Sequence, residues 1–144
     1  MADNPSEFSL MTRPPAPMYN ELNKVPLTRK LLMQVLSDLS QRLYRLFKRQ
    51  VRLVVHGGAV MVLHPSLSHR ESTRDVDYIH RSFVSEYRAL GFPHAGQQLR
   101  TCITETACKF GLGADWMNHH ADVALPWALE YVHDPQPLTP LSLL

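Results

Sequence analysis

The stretch "VRLVVHGG", Val51 to Gly58, sets the tightest limit on what this chain can become. Val51 to Val55 is short, β-branched and apolar at nearly every position rather than at alternate ones, which suits a buried strand. The adjacent glycines Gly57 and Gly58 end it, and "AVMVLH" after them opens a helix. A polar loop, "HPSLSHREST", then leads to "RDVDYIH", whose Val76, Tyr78 and Ile79 predict a second strand. Side chains alternate along a strand, so Asp75 and Asp77 point the same way while Val76 lies on the other side. Two like charges then share one spot.

Around this centre the hydrophobic period gives helices. From Thr28, apolar residues at 31, 32, 35, 36, 39, 43 and 46 recur at helical spacing, with Lys and Arg on the opposite face, and Pro26 and Thr28 mark the start. "RSFVSEYRALG" predicts a helix stopped by Gly91, and "FPHAG" a turn. Leu99, Ile103, Ala107 and Phe110 predict another helix, stopped by Gly111 and Gly113. In "ADWMNHHADVALPWA", Trp116 and Trp127 are bulky anchors, while Asp122 and Val123 begin either a short strand or a turn. Residues 1–24 contain "TRPPAP" and little apolar periodicity and are expected to be a disordered lead-in, 25–132 one folded domain, and 133–144 an irregular proline-rich tail.

A length of 144 residues suits one domain with a real core, and 44% hydrophobic with 19% charged residues is a globular composition. No stretch approaches the ~20 apolar residues that cross a bilayer, and the N-terminus lacks a basic region followed by an apolar one, so no membrane is expected and the default location is cytoplasmic or nuclear. Cys102 and Cys108 are too few for a disulfide framework or thiolate metal site and are expected to be buried free thiols. The net charge of +2 neither demands nor excludes nucleic acid.

The chemistry lies in the order of the parts: strand, Gly57-Gly58, helix, loop, then Asp75-x-Asp77 on a second strand. Glycines at a helix start let phosphate oxygens approach backbone amides, and paired carboxylates are hard oxygen ligands for Mg²⁺ or Mn²⁺. Together they form a candidate site for a metal-bound nucleoside triphosphate. "HGGAVMVLH" followed by "RESTRDVDYI" resembles the nucleotidyltransferase superfamily, with its Gly-Gly or Gly-Ser turn and later Asp-x-Asp or Asp-x-Glu. More narrowly it is similar to uncharacterised nucleotidyltransferase-like proteins related to antitoxin-system nucleotidyltransferases, in which "LGADWMN" also has a counterpart. The resemblance spans roughly Val51 to Asn118.

That resemblance implies an α/β, or α+β, fold: a small mixed β-sheet flanked by helices, in a chain expected to end before the helical partner domain usual in the group. It implies metal-dependent transfer of a nucleoside monophosphate from a triphosphate to an unknown acceptor. Asp75 and Asp77 would hold the metal, Gly57 and Gly58 cradle the phosphates, and Arg70 or Arg74 grip them. Ala59 stands where many active members have a serine, sixteen residues separate Gly58 from Asp75, and a third carboxylate is expected from a later strand, with Asp122 the candidate by position. The alternative is a catalytically inactive nucleotidyltransferase fold that binds nucleotide or a protein partner.

Plainer readings stand beside these. A glycine pair alone is a turn, and Asp-x-Asp alone is a solvated or arginine-paired couple. The eight histidines do not make a zinc site by spacing, since His119 and His120 are adjacent. His56 is read as a structural residue, Trp116 as a packing anchor and Asn118 as a loop hydrogen-bonder. The basic face of the first helix reads as solvated surface, and no aromatic interleaving supports a nucleic-acid backbone there.

Overall fold

Thr28 fixes the start of the longest helix. Its backbone is extended and its hydroxyl accepts from the Leu31 amide at 3.2 Å, an N-cap that satisfies one of the helix's free donors. The computed structural model describes residues 22–64, 66, 70–121 and 140–143. Helix α1 runs Arg29–Phe47 and buries Leu32, Val35, Leu36, Leu39, Leu43 and Phe47, one face at spacings of three and four. It ends at Lys48, whose backbone turns left-handed (φ 56°) while its amide donates to the Tyr44 carbonyl. The predicted stripe fails at one place. Leu46 is 41% exposed and Phe47 only 3%, because Phe47 continues the line of Leu43 and meets Phe83, Tyr87 and Phe92 edge-on at ring separations of 6.1, 5.0 and 5.1 Å.

The expected strand is β2, Val51–His56, which lies inside a four-stranded mixed sheet flanked by helices. It pairs antiparallel with β4 (Val76–Tyr78), placing Val55 opposite Tyr78 and His56 opposite Asp77. Strand β5 (Met117–Asn118) runs parallel to β4, with Asp77 opposite Asn118, and β6 (Pro140–Leu143) covers the other side of β2. The β4-to-β5 connection carries helices α3 (His80–Ala89) and α4 (Ala95–Phe110), as a parallel pairing requires. The short helix α2, Gly58–Leu63, follows β2.

Three expectations need correction. The "RDVDYIH" strand is only three residues long, with Asp75 just before it, and the preceding polar loop contains β3 (Ser72–Thr73), paired antiparallel with β1 (Leu27–Thr28). Residues 140–143 of the irregular tail form an edge strand. Pro140 is its first residue, where a missing N–H is tolerated. Of the two thiols only Cys102 is buried, and burial together with Glu105 pushes it up to about 11, whereas Cys108 is exposed. Trp127 and Val123 lie outside the described residues. No helix among the described residues is long and apolar enough to cross a membrane.

The expected lead-in also extends too far, since Asn23 is buried and joins three segments. Its side-chain amide donates to the Arg74 carbonyl at 2.7 Å and the Val25 carbonyl at 2.8 Å, its side-chain oxygen accepts from the Gly113 amide at 3.1 Å, and its own backbone amide donates to Asp115. Any side chain at Gly113 would run into the backbone of Leu22 and Asn23.

Asp38 joins the two long helices. Its carboxylate accepts from Arg42 Nε at 2.7 Å, Thr106 Oγ1 at 2.8 Å and Lys109 Nζ at 3.0 Å. Burial pushes its pKa up, but these three donors outweigh that and hold it below the ordinary carboxylate value. A lowered folded-state pKa contributes stability that is present above the unfolded value and lost as pH falls through the folded one. Asp38→Asn therefore lowers unfolding free energy by about 1–3 kcal/mol at pH 7. Part of that loss disappears by about pH 3, below the ordinary carboxylate value of about 3.9, as denaturant titrations at the two pH values will read.

Candidate functional site

The turn between β2 and α2 is where the two halves of the sequence pattern meet. Gly57 has φ 78° and ψ −153°, a conformation that side chains disfavour, and a Cβ there would lie 2.7 Å from Asp77 Oδ2. At Gly58 a Cβ would lie 2.6 Å from Arg70 Nη1 and 2.9 Å from Thr73 Oγ1. The glycine pair thus makes room for a carboxylate on one residue and a guanidinium on the next. Arg70 is steadied by donating from Nε to the Ser72 carbonyl at 3.1 Å, leaving its outer nitrogens against the turn.

Asp75 and Asp77 are both partly buried, flanking the fully buried Val76, so the predicted alternation holds. Asp77 reaches the turn from β4. Asp75 is held from β5, where Asn118 Nδ2 donates to Asp75 Oδ2 at 2.9 Å and to the Asp115 carbonyl at 2.9 Å, while Asn118 Oδ1 accepts from the His120 amide at 3.2 Å. Thr73 Oγ1 donates to the Asp75 carbonyl at 3.2 Å. Neither carboxylate forms an ion pair among the described residues, although arginines precede both in sequence.

Burial is the chief reason the Asp77 carboxyl is held above its ordinary value, and the neighbouring Asp75 charge adds to it, while His56 and His120 pull the other way. His56 faces Asp77 across the β2–β4 ladder, and among the described residues its buried Nε2 has no hydrogen-bond partner. The His119 ring stacks on His80 at 4.3 Å.

Of the residues singled out in the sequence, Gly57, Gly58, Arg70, Asp75 and Asp77 come together. Arg74 does not join them as an ion-pair partner. It is exposed, its backbone carbonyl serves Asn23, and among the described residues its guanidinium pairs with neither acid. Asp122 lies outside the described residues, and among those described no three His, Cys, Asp or Glu side chains are arranged to hold a metal ion. Ala59 is fully buried in the core, so a side chain at that position faces the packing rather than the acids. Sequence reasoning did not find the grip of Asn118 on Asp75, nor Thr73. The only available signal was the polar Asn118 directly after the apolar pair Trp116 and Met117. Comparison with protein-family models, curated proteins and solved structures returns no match to the chain.

A carboxyl whose folded-state pKa is raised favours folding while protonated, and that contribution is lost as pH rises through the folded value. Asp77→Asn is therefore expected to stabilise the protein by roughly 0.5–1 kcal/mol at pH 7. The gain fades below about pH 4, where Asp77 is protonated in both states, and equilibrium unfolding at the two pH values measures it.

Proposed function

We propose that the chain is a nucleotidyltransferase, moving a nucleoside monophosphate from a nucleoside triphosphate to an acceptor. What carries this reading is the approach of Asp77 and Arg70 to the two successive glycines at one turn, with Asp75 beside them. Acids and a guanidinium brought to one glycine turn are the groups a cation-bound polyphosphate needs: carboxylates for the cation and Arg donors for phosphate oxygens.

The residues fit a hard divalent cation. Two partly buried carboxylates without an ion-pair partner among the described residues, one of them costly to ionise chiefly because of its burial and then because of the other's charge, gain from a shared positive charge. Asp75 and Asp77 would hold Mg²⁺ or Mn²⁺, which when bound neutralises charge on the reacting phosphates. Asn118 keeps Asp75 turned toward Asp77. Arg70 offers its outer nitrogens to the phosphates, and Gly57 and Gly58, having no side chains, let Asp77 and Arg70 close on the turn.

The test is release of pyrophosphate from each of the four ribonucleoside triphosphates with Mg²⁺ or Mn²⁺, across small-molecule, protein and RNA acceptors. Asp75→Ala and Asp77→Ala are each expected to lower turnover at least ~100-fold, equivalent to about 2.7 kcal/mol of barrier. Arg70→Gln should raise KM for the triphosphate more than it lowers kcat. Calorimetric binding of a triphosphate without turnover on any acceptor would leave an inactive nucleotide-binding fold. Neither binding nor turnover overturns both readings.

A further inference from the structure

We infer that the end of α1 and the outer face of β2 bind a single-stranded nucleic acid, and, resting on the transferase reading, that its end is the acceptor. Between Asp38 and Glu71 the chain has no Asp or Glu, yet carries Arg42, Arg45, Lys48, Arg49, Arg52 and Arg70. Arg42 is taken by Asp38. Arg45, Lys48, Arg49 and Arg52 are exposed and form no ion pair among the described residues. A segment with four such exposed cations in eight residues attracts a polyanion.

The aromatic component that sequence reading found missing is supplied by the turn of α1 that places Phe47 in the core. That turn leaves Tyr44 54% exposed beside Arg45, where the two share a surface hollow with Gln41 and Gln50. An exposed ring beside one arginine and two carboxamides is a stacking platform for an unpaired base, which favours a single strand over a duplex or an acidic peptide.

Strand β2 connects this surface to the site. Its buried residues are Val51, Leu53 and Val55, so Arg52, Val54 and His56 share the opposite face, and Asp77 lies across from His56. Four residues of strand separate Arg52 from His56 by about 13 Å. A strand gripped at Arg49 and Arg52 can thus extend along one sheet face toward Asp77.

The experiment is fluorescence anisotropy of a labelled twelve-nucleotide RNA with the full chain, without triphosphate or divalent ion, across a series of KCl concentrations. Wild type is expected to bind in the micromolar range near physiological salt. The double variant Arg49→Gln with Arg52→Gln should weaken binding about tenfold or more and flatten the log-log salt slope by about 1.4. Tyr44→Ala should weaken it about fivefold with the slope unchanged. All three positions are exposed, so the variants should melt within a few degrees of wild type. No binding by wild type, or a folded double variant that binds as wild type does, overturns the inference. So does an acidic peptide of equal length that competes as well as the RNA, or a preference for anionic vesicles over RNA. Because the binding assay contains no triphosphate, failure of transfer leaves its result standing. Transfer to a non-nucleic acceptor by a chain that does not bind RNA overturns this inference alone.

Discussion

Asn23 is the residue on which the arrangement of the rest turns. It is one short amide, yet it joins the entry to β1, the turn between β3 and β4, and the loop that carries α4 into β5. Each bond is made to a backbone group, and buried backbone groups left unpaired cost about 1–3 kcal/mol each. Gly113 is the counterpart that lets two backbones touch. Because the same junction fixes Asp115 through the Asn23 amide, it also fixes the carbonyl that Asn118 uses while gripping Asp75. A contact far from the acids in sequence thus decides whether the acids stand together.

The carboxylate environments of Asp38 and Asp77 are opposites. Asp38 is surrounded by three donors and gains from being charged. Asp77 has only the distributed fields of His56 and His120 against its own burial and the charge of Asp75, so its ionised form is a burden on the fold. Helix-to-helix packing through Asp38 is what a stability role looks like. Asp77 resembles instead a group kept in place against the interest of stability, which is the physical signature expected of a functional position.

How much of this was legible in the sequence follows the range of each interaction. Helices α1 and α4 and strand β2 are written in local periodicity, and the sheet class follows from them. Paired acids on one side of a strand need only the two-residue alternation, so Asp75 and Asp77 were readable. The swap of Leu46 for Phe47 was not, because it depends on three rings from α3 and the turn after it. Arg70 and Arg74 could not be told apart, since their difference comes from β3 pairing with a strand more than forty residues earlier. Asn23 and Asn118 are single polar residues whose distant partners lie 43 to 92 positions away. The pairing of Pro140–Leu143 with β2 has the same origin: three prolines in seven residues describe the chain locally, while an open sheet edge selects it.

The identity of residue 118 explains how the acid pair tolerates its own charge. Asn118 stands in register with Asp77 on the neighbouring parallel strand and within hydrogen-bond distance of Asp75, at a place from which a carboxylate would face both acids. Two unit charges 4 Å apart repel by about 4 kcal/mol at an effective dielectric of 20. A third acid there would turn one attractive hydrogen bond into a repulsion of that order, and the fold would then require a cation merely to close. With an amide in that place the pair is assembled by the chain's own donors. Asp75 is oriented by a neutral N–H, and Asp77 is set against a glycine. The two acids therefore owe their positions to β4, β5 and the glycine turn.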